Sequence, residues 1–381
     1  MKKIDFWIVV YTIIILLSVM YATQPLQPLL AQEFSVSVTQ ASSFTAVIMF
    51  FLAVAPIIYG YILERINAKK VLIIASLILC VTNISLGFSN TYEVFLFLRT
   101  CEAVVVPAIL TASMSILAND KANIKRNMSF YVAATVFGGL IGRVMSGAIA
   151  TQFGWRYVFF SLSVALLVGL YFIFKLSFNG EATLTKAKVK DVVMILKDKR
   201  FVVIYMLMFT VFFVFSGLLN IVPFRIKEQL PDVTEAQIGL LYLGYGVGIV
   251  VSLTIHKITA LFKKEMRTIM FGLGVFFLAT LAFLNDHIWF VFAMVFVLCF
   301  GMFTVHTLST RLANSMKESQ KSLTSGMYLT FYYIGGAVGS LLPAVIYEHF
   351  GWYPTVLTFV FVLVLITLFV HFNRNHFKAY S

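Results

Sequence analysis

Residues 138–155 read GGLIGRVMSGAIATQFGW. Gly138, Gly139, Gly142 and Gly147 lie in a stretch too apolar for a surface loop. It is also too rich in glycine for an ordinary soluble helix, where each interior glycine costs about 1 kcal/mol against alanine. Arg143 sits in its middle. The stretch returns 197 positions later as GGAVGSLLPAVIYEHFGW, residues 335–352. Gly138, Gly139, Gly142, Phe153, Gly154 and Trp155 recur as Gly335, Gly336, Gly339, Phe350, Gly351 and Trp352. An offset of about half the chain predicts two related halves. At the copied position Arg143 has become Ser340.

Composition says where such a repeat can live. Of the 381 residues 60% are hydrophobic and 12% charged, with a mean hydropathy of +0.93. So little charge cannot cover the surface of a soluble domain of this size. Long apolar runs separated by short charged clusters predict an all-α polytopic membrane protein. Twelve candidate spans follow, the first at approximately 6–30 and the last at 353–372. Met1-Lys2-Lys3 ahead of an apolar run resembles a signal peptide. The run from Phe6 is long enough to span, however, and no small-x-small site ends it, so an uncleaved first helix is expected.

In a soluble protein the net charge of +13 would point to nucleic acid. Its distribution points elsewhere. With a cytoplasmic N-terminus, only Arg156, Arg225 and Lys227 of the 29 Lys and Arg fall in outside segments, and Arg99 and Arg143 fall within spans. This positive-inside asymmetry predicts that both termini are cytoplasmic and leaves no nucleic-acid footprint. Cys80, Cys101 and Cys299 fall inside predicted spans without metal-ligand spacing and read as small core residues.

The first span ends in Gln24-Pro25-Leu26-Gln27-Pro28. Two prolines there predict a broken last turn, tolerated where freed carbonyls are shielded by protein or face a cavity. Gln24 and Gln27 then become either groups in a polar pocket or parts of a packing kink. After span 2 comes Gly60-Tyr61-Ile62-Leu63-Glu64-Arg65-Ile66-Asn67-Ala68-Lys69-Lys70, read as a loop. Span 4 carries Arg99-Thr100-Cys101-Glu102-Ala103 and then Pro107. Glu102 is the acid that falls well inside the membrane, where ionisable groups are costly and functional by default.

The loop after span 2, span 4 and the opening stretch resemble signatures of the major facilitator superfamily. Gly60, Arg65 and Lys69 match the G-x-L-A-D-R-x-G-R-K loop between spans 2 and 3, with Glu64 for the aspartate, Asn67 for the second glycine and Ala68 for an arginine. Arg99 matches R-x-x-Q-G in span 4, with Glu102 and Ala103 in place of the glutamine and glycine. Gly138-xxx-Gly142-Arg143-xx-Ser146-Gly147 resembles the exporter signature G-x-x-x-G-P-x-x-G-G, with Arg143 where the proline stands. The G-R-x-x-S-G form before Gly154-Trp155-Arg156, together with the tyrosines at 328–333, resembles the YnfM-type branch of arabinose-efflux and drug:proton antiporter-like permeases. The resemblance implies two pseudo-symmetric six-helix bundles, 1–178 and 201–381, joined by a cytoplasmic linker at 179–200. It also implies that Gly60, Glu64, Arg65 and Lys69 form a conformational latch, the acid resting near the N-terminus of helix 11. A carboxylate near a positive helix end gains a few tenths to about 1 kcal/mol.

At about 1.5 Å per residue, Arg99 and Arg143 lie roughly 10–12 Å below the outer edge of the hydrocarbon, with Gln24 at comparable depth. Glu102 is one turn deeper and shares a helix face with Arg99. Two readings of this trio stay open. In one, Glu102 is a permanent salt-bridge partner of Arg99 or Arg143. In the other it exchanges a proton and the arginines respond; burial opposes its charge while the arginines favour it. The second half offers Asn220, Tyr328 and Tyr332 as further substrate-binding candidates, and His306 as a structural histidine with no carboxylate within a turn. Gly138, Gly142, Gly147, Gly335 and Gly339 are read as helix-packing positions, as is Gly244-Tyr245-Gly246-Val247-Gly248 in span 8.

The expected function is secondary active transport by alternating access, by resemblance proton-coupled efflux of small organic or amphiphilic solutes. An importer of an anionic or zwitterionic nutrient is the alternative. No HExxH, phosphate loop or His/Asp cluster suggests an enzyme or ATP-driven pump, and no cofactor or metal is expected. The expected partners are a small molecule, protons and the lipid bilayer, with the chain a monomer in a bacterial-type inner membrane.

Overall fold

The computed structural model describes residues 2–177, 189–317 and 320–380. In lipid every backbone polar group must be satisfied within its own segment, and runs this long and apolar do so as helices. The first half holds α1 (Lys3–Tyr21), α2 (Gln27–Glu33), α3 (Val38–Arg65), α4 (Ala68–Gly87), α5 (Tyr92–Asn119), α6 (Ile124–Phe153) and α7 (Trp155–Lys175). A short surface helix, α8 (Val189–Lys197), precedes α9 (Lys199–Gln229), α10 (Glu235–Leu240), α11 (Gly246–Phe262), α12 (Glu265–Ala282), α13 (Ile288–Ser315), α14 (Lys321–Phe350) and α15 (Trp352–Asn373). Among the described residues, 12 helical segments are long and apolar enough to cross a membrane.

The chain divides into two compact units. One comprises Met1–Lys186 and Asp232–Tyr242, the other Ala187–Pro231 and Leu243–Ser381. The switch between units falls within a 3-10 stretch, Leu241–Tyr245, that interrupts span 8 between α10 and α11.

The repeated glycines explain the closest helix pairs. A Cβ on Gly138 would stand 2.5 Å from the Ile14 carbonyl oxygen, and one on Gly142 would stand 2.4 Å from Ser18 Cα. Both distances are shorter than any real contact, so α1 and α6 touch through backbone. In the other unit Gly335 and Gly339 do the same to the Phe209 and Phe213 carbonyls of α9, each at 2.2 Å. Ile14 and Phe209 are 195 positions apart, as are Ser18 and Phe213. The pair α1–α6 is thus rebuilt as α9–α14. Gly147 takes a different neighbour, with the Glu235 carbonyl at the start of α10 only 2.3 Å from its would-be Cβ.

The Phe-Gly-Trp copies end these helices. Gly154 (φ 93°) and Gly351 (φ 79°) take left-handed backbone that glycine alone adopts without strain. Each ends its helix, and Trp155 or Trp352 begins the next. Both tryptophans are buried, and Trp352 Nε1 donates to the Phe283 carbonyl at 2.8 Å. Near that end of the second unit, Asp286 accepts from Arg225 at 2.8 Å and from the Tyr353 hydroxyl.

One expectation changes. The segment from Gly60 to Arg65, read as loop, continues α3 as helix. The break comes instead at Ile66–Asn67, where the Asn67 side chain accepts from the Lys69 amide and caps α4. Span 8 lies where it is expected, within Glu235–Phe262, and carries a 3-10 stretch at Leu241–Tyr245 that the sequence does not announce.

Candidate functional site

Span 1 breaks where its prolines predict. α1 stops at Tyr21, and Gln24 N–H bonds the Tyr21 carbonyl at 3.1 Å rather than reaching one residue further back. That leaves the Met20 carbonyl short of its α-helical partner inside the membrane, where an unsatisfied group is expensive. Arg99 of α5 supplies the donors. Its Nη2 donates to Met20 O at 3.1 Å, Phe44 O at 3.3 Å and Thr23 Oγ1 at 3.4 Å, and its Nη1 donates to Val19 O at 3.4 Å. The guanidinium caps the broken end of α1 and pins it to α3.

The same Nη1 donates to Glu102 Oε2 at 2.6 Å, the i, i+3 geometry read from the sequence. Asn83 of α4 donates through Nδ2 to the other carboxylate oxygen. Asn83, Arg99 and Glu102 have no exposed surface. Asn83 Oδ1 and Arg99 Nε have no hydrogen-bond partner among the described residues, so the cluster is not fully saturated. Asn83 was missed by the sequence reading. A lone asparagine among small polar residues of an apolar span gives no signal of its own, and only the packing of α4 on α5 brings it to Glu102.

Arg143 belongs to a second cluster at the helix-1 break. Its Nε donates to Gln24 Oε1 at 2.6 Å and its Nη1 to the Gly139 carbonyl at 2.8 Å. The guanidinium carbon lies 3.7 Å from the Tyr21 ring centre and 5.1 Å from that of Tyr242. Cationic planes favour such ring faces, the more so when water is excluded. Of the two arginines considered for Glu102, the structure pairs Arg99 with it and directs Arg143 to Gln24. Gln27, buried beside the break, donates to Thr45 Oγ1 at 2.9 Å. Residues Val19 to Gln24 are thus held by both guanidinium groups.

In the second unit the position of Arg143 is taken by Ser340, whose hydroxyl meets Ser216 at 2.9 Å and the Gly336 carbonyl at 2.8 Å. Asn220 is fully buried on α9. Tyr332 stacks on Phe212, with centroids 3.7 Å apart and planes 8° from parallel. Tyr328 lies 2.9 Å from His306 Nδ1, and the His306 ring packs against Tyr332 at 4.9 Å. His306 therefore finds its partner on α14 rather than within its own turn. The glycines of span 8 serve packing, with Gly248 against the Phe303 ring and Gly244 against Val295.

Of the four residues expected to form a latch, Gly60, Glu64 and Arg65 lie outside the residues whose surroundings are described. Lys69 donates to the Phe174 and Leu176 carbonyls at 3.0 and 2.6 Å, closing the end of α7. Cys80 and Cys299 are buried and Cys101 is partly so. Among the described residues, no group of three His, Cys, Asp or Glu is placed to hold a metal.

Twelve candidate spans among the described residues, in two related units with ionisable groups buried inside one of them, are the architecture of a carrier of small solutes. The family model of the Major Facilitator Superfamily matches residues 9–253 and 226–379, and the chain belongs to that family, whose members are transporters and not enzymes. It is 22% identical to the inner membrane transport protein YnfM of Escherichia coli, over 96% of this chain and 88% of that one. It is also 22% identical to the MFS-type transporter YybF of Bacillus subtilis, over 91% of this chain and 88% of its relative. The multidrug efflux protein YfmO of Bacillus subtilis is 24% identical, over 90% and 86%. Among solved structures, a bacterial homologue of the lysosomal transporter Spinster superposes with a TM-score of 0.83 at 14% identity, covering 99% of this chain and 98% of that one. The protein is accordingly a multi-pass membrane transporter of small molecules.

Proposed function

We propose that the protein exports small organic or amphiphilic solutes in exchange for protons, by alternating access, from a bacterial-type inner membrane. Both termini are assigned to the cytoplasm on the charge asymmetry, and the bundles to residues 1–178 and 201–381, joined by 179–200. The working unit is assigned as a monomer. The observation that carries the reading is Glu102, a carboxylate with no exposed surface midway along α5 whose hydrogen bonds suit two charge states. As a carboxylate it accepts from Arg99 and Asn83. Once protonated it becomes a donor, and a turn of the Asn83 amide would offer it Oδ1. Arg99, released from a full charge partner, then changes its grip on the end of helix 1. Glu102 is the assigned proton site, with Arg99 and Arg143 as its responders.

Gln24, Gln27, Arg99 and Arg143 are assigned to substrate in the first unit, and Asn220, Tyr328 and Tyr332 in the second. Two guanidiniums against one carboxylate favour a solute with an anionic or zwitterionic group. Gly60, Glu64, Arg65 and Lys69 keep the role of latch. Efflux as the direction draws support from YfmO among the relatives.

A thermal-shift screen of organic anions, zwitterions and dyes on purified protein supplies a ligand. Proteoliposomes loaded with that ligand, under an imposed proton gradient, then test the reading. Ligand moving against the proton flow supports antiport. Accumulation in the same direction as the protons sinks it.

A further inference from the structure

The loops that follow the second span of each half differ in what their lysines do. In the first half Lys69 is engaged by two carbonyls at the end of α7. In the second half the turn from α11 to α12 opens onto a cavity of about 410 Å³ lined by Thr259, Lys263, Lys264, Glu265, Arg311 and Ser315. Lys263 closes α11 in left-handed backbone (φ 60°), an uncommon conformation for a residue with a side chain, and sets two consecutive lysines at the rim. Arg311 arrives from α13. One of its amino groups holds Glu265 at 2.7 Å, and a guanidinium has donors to spare. The lining thus sets three cations against one carboxylate that is already paired. The first turn of α12, 18 residues long, begins there without a side-chain cap from Lys264, adding the positive end of a helix.

The end of α11 that leads into this turn is apolar. Leu261, two residues before Lys263, is 79% exposed, and Phe262 packs on Phe271 at 4.6 Å. A cationic cleft between helix ends, reached by a helix whose last turn exposes Leu261, suits a ligand with a phosphate head and a hydrocarbon body. We propose that this cleft binds a phosphate-bearing anion, with an anionic phospholipid headgroup as its source in the membrane. The site lies outside the buried clusters of the first unit and does not depend on the transport reading.

Native mass spectrometry of the purified full chain tests it, with cardiolipin, phosphatidylglycerol and phosphatidylethanolamine as probes. Wild type should retain the first two in preference to the third. K263A/K264A should bind them about thirty-fold more weakly, given the contribution of each basic residue at a membrane surface, and R311A should also weaken them. K263R/K264R should bind as wild type, separating loss of charge from loss of fold. Unfolding temperature measured with inorganic phosphate distinguishes the sources. A shift with lipid alone identifies the headgroup, and an equal shift with phosphate identifies a soluble phosphate as the ligand. Equal lipid retention by wild type, K263A/K264A and R311A overturns the proposal.

Discussion

The guanidinium of Arg143 lies 3.7 Å from the ring centre of Tyr21, at the place where the second half sets the Ser340 hydroxyl against Ser216. The two pairs are equivalent, since Arg143 and Ser340 stand 197 positions apart and Tyr21 and Ser216 stand 195 apart. Both Arg143 and Ser340 also donate to the carbonyl four residues back, Gly139 and Gly336. One backbone geometry therefore serves two chemistries. The first half uses it to stack a charge on a ring, and the second to close a hydroxyl pair.

A double-mutant cycle on Tyr21→Leu and Arg143→Ala should return a coupling of about 1–2 kcal/mol, as expected for a desolvated cation on an aromatic face. Unfolding in detergent measures it. Arg143→Lys should recover little of the loss, because an ammonium cannot replace the planar fork that meets Gln24 and two rings at once. Wild-type stability and transport in that variant would show that geometry at Arg143 is immaterial.

Arg99→Ala should destabilise the first unit by about 3–5 kcal/mol, since it leaves Glu102 buried without its charge partner and the end of helix 1 without its donors. Glu102→Gln should be milder, because the amide still meets Asn83 and Arg99. On the proposed function it removes the pH dependence of transport while leaving ligand-induced thermal shift in place. Proton-driven transport unchanged in Glu102→Gln would make the carboxylate a structural group.

Gly142→Ala and Gly339→Ala should each cost about 1–3 kcal/mol, because the added methyl would meet backbone of the facing helix and side-chain motion cannot relieve it. Gly274→Ala is the control. Nothing lies within 4 Å of its added Cβ, so the substitution should be neutral or stabilise by about 0.5–1 kcal/mol through helix propensity. Equal melting temperatures for all three would remove the close-packing account of the repeat.

The Tyr353 hydroxyl and Arg225 hold the Asp286 carboxyl below the usual aspartate range. A lowered folded-state value gives stability that is present above the unfolded value, about 3.9, and is lost as pH falls through the folded one. Wild type should therefore weaken on acidification below that range, and Asp286→Asn should flatten this part of the acid limb. An unchanged acid limb in the variant would show that the group is inert.

Much of this architecture is legible in the residues. Glycine spacing reports where backbones touch, the paired prolines report the break in helix 1, and i, i+3 spacing joins Arg99 to Glu102. What stays hidden depends on which helices meet. Gln24 as the partner of Arg143, Asn83 as the partner of Glu102 and Tyr328 as the partner of His306 each come from another helix, and no local period encodes that encounter. The extension of α3 through Arg65 escaped for a related reason. Charge and glycine read as loop, yet the helix continues until the Asn67 cap offers an alternative.

The break in helix 1 also carries a timing problem. Its Met20 and Val19 carbonyls accept from Arg99, across 79 and 80 residues. At a synthesis rate of about 5–20 residues per second, the ribosome reaches that arginine roughly 4–16 s after the helix end is made. During this interval the Val19 and Met20 carbonyls of the nascent helix 1 lack the donors that Arg99 supplies. The first span must then wait at a hydrated site, such as the insertion machinery or the water interface, until the fourth is made. Truncations that stop short of Arg99 should accordingly be targets for quality-control proteolysis, and those that include α5 should be spared.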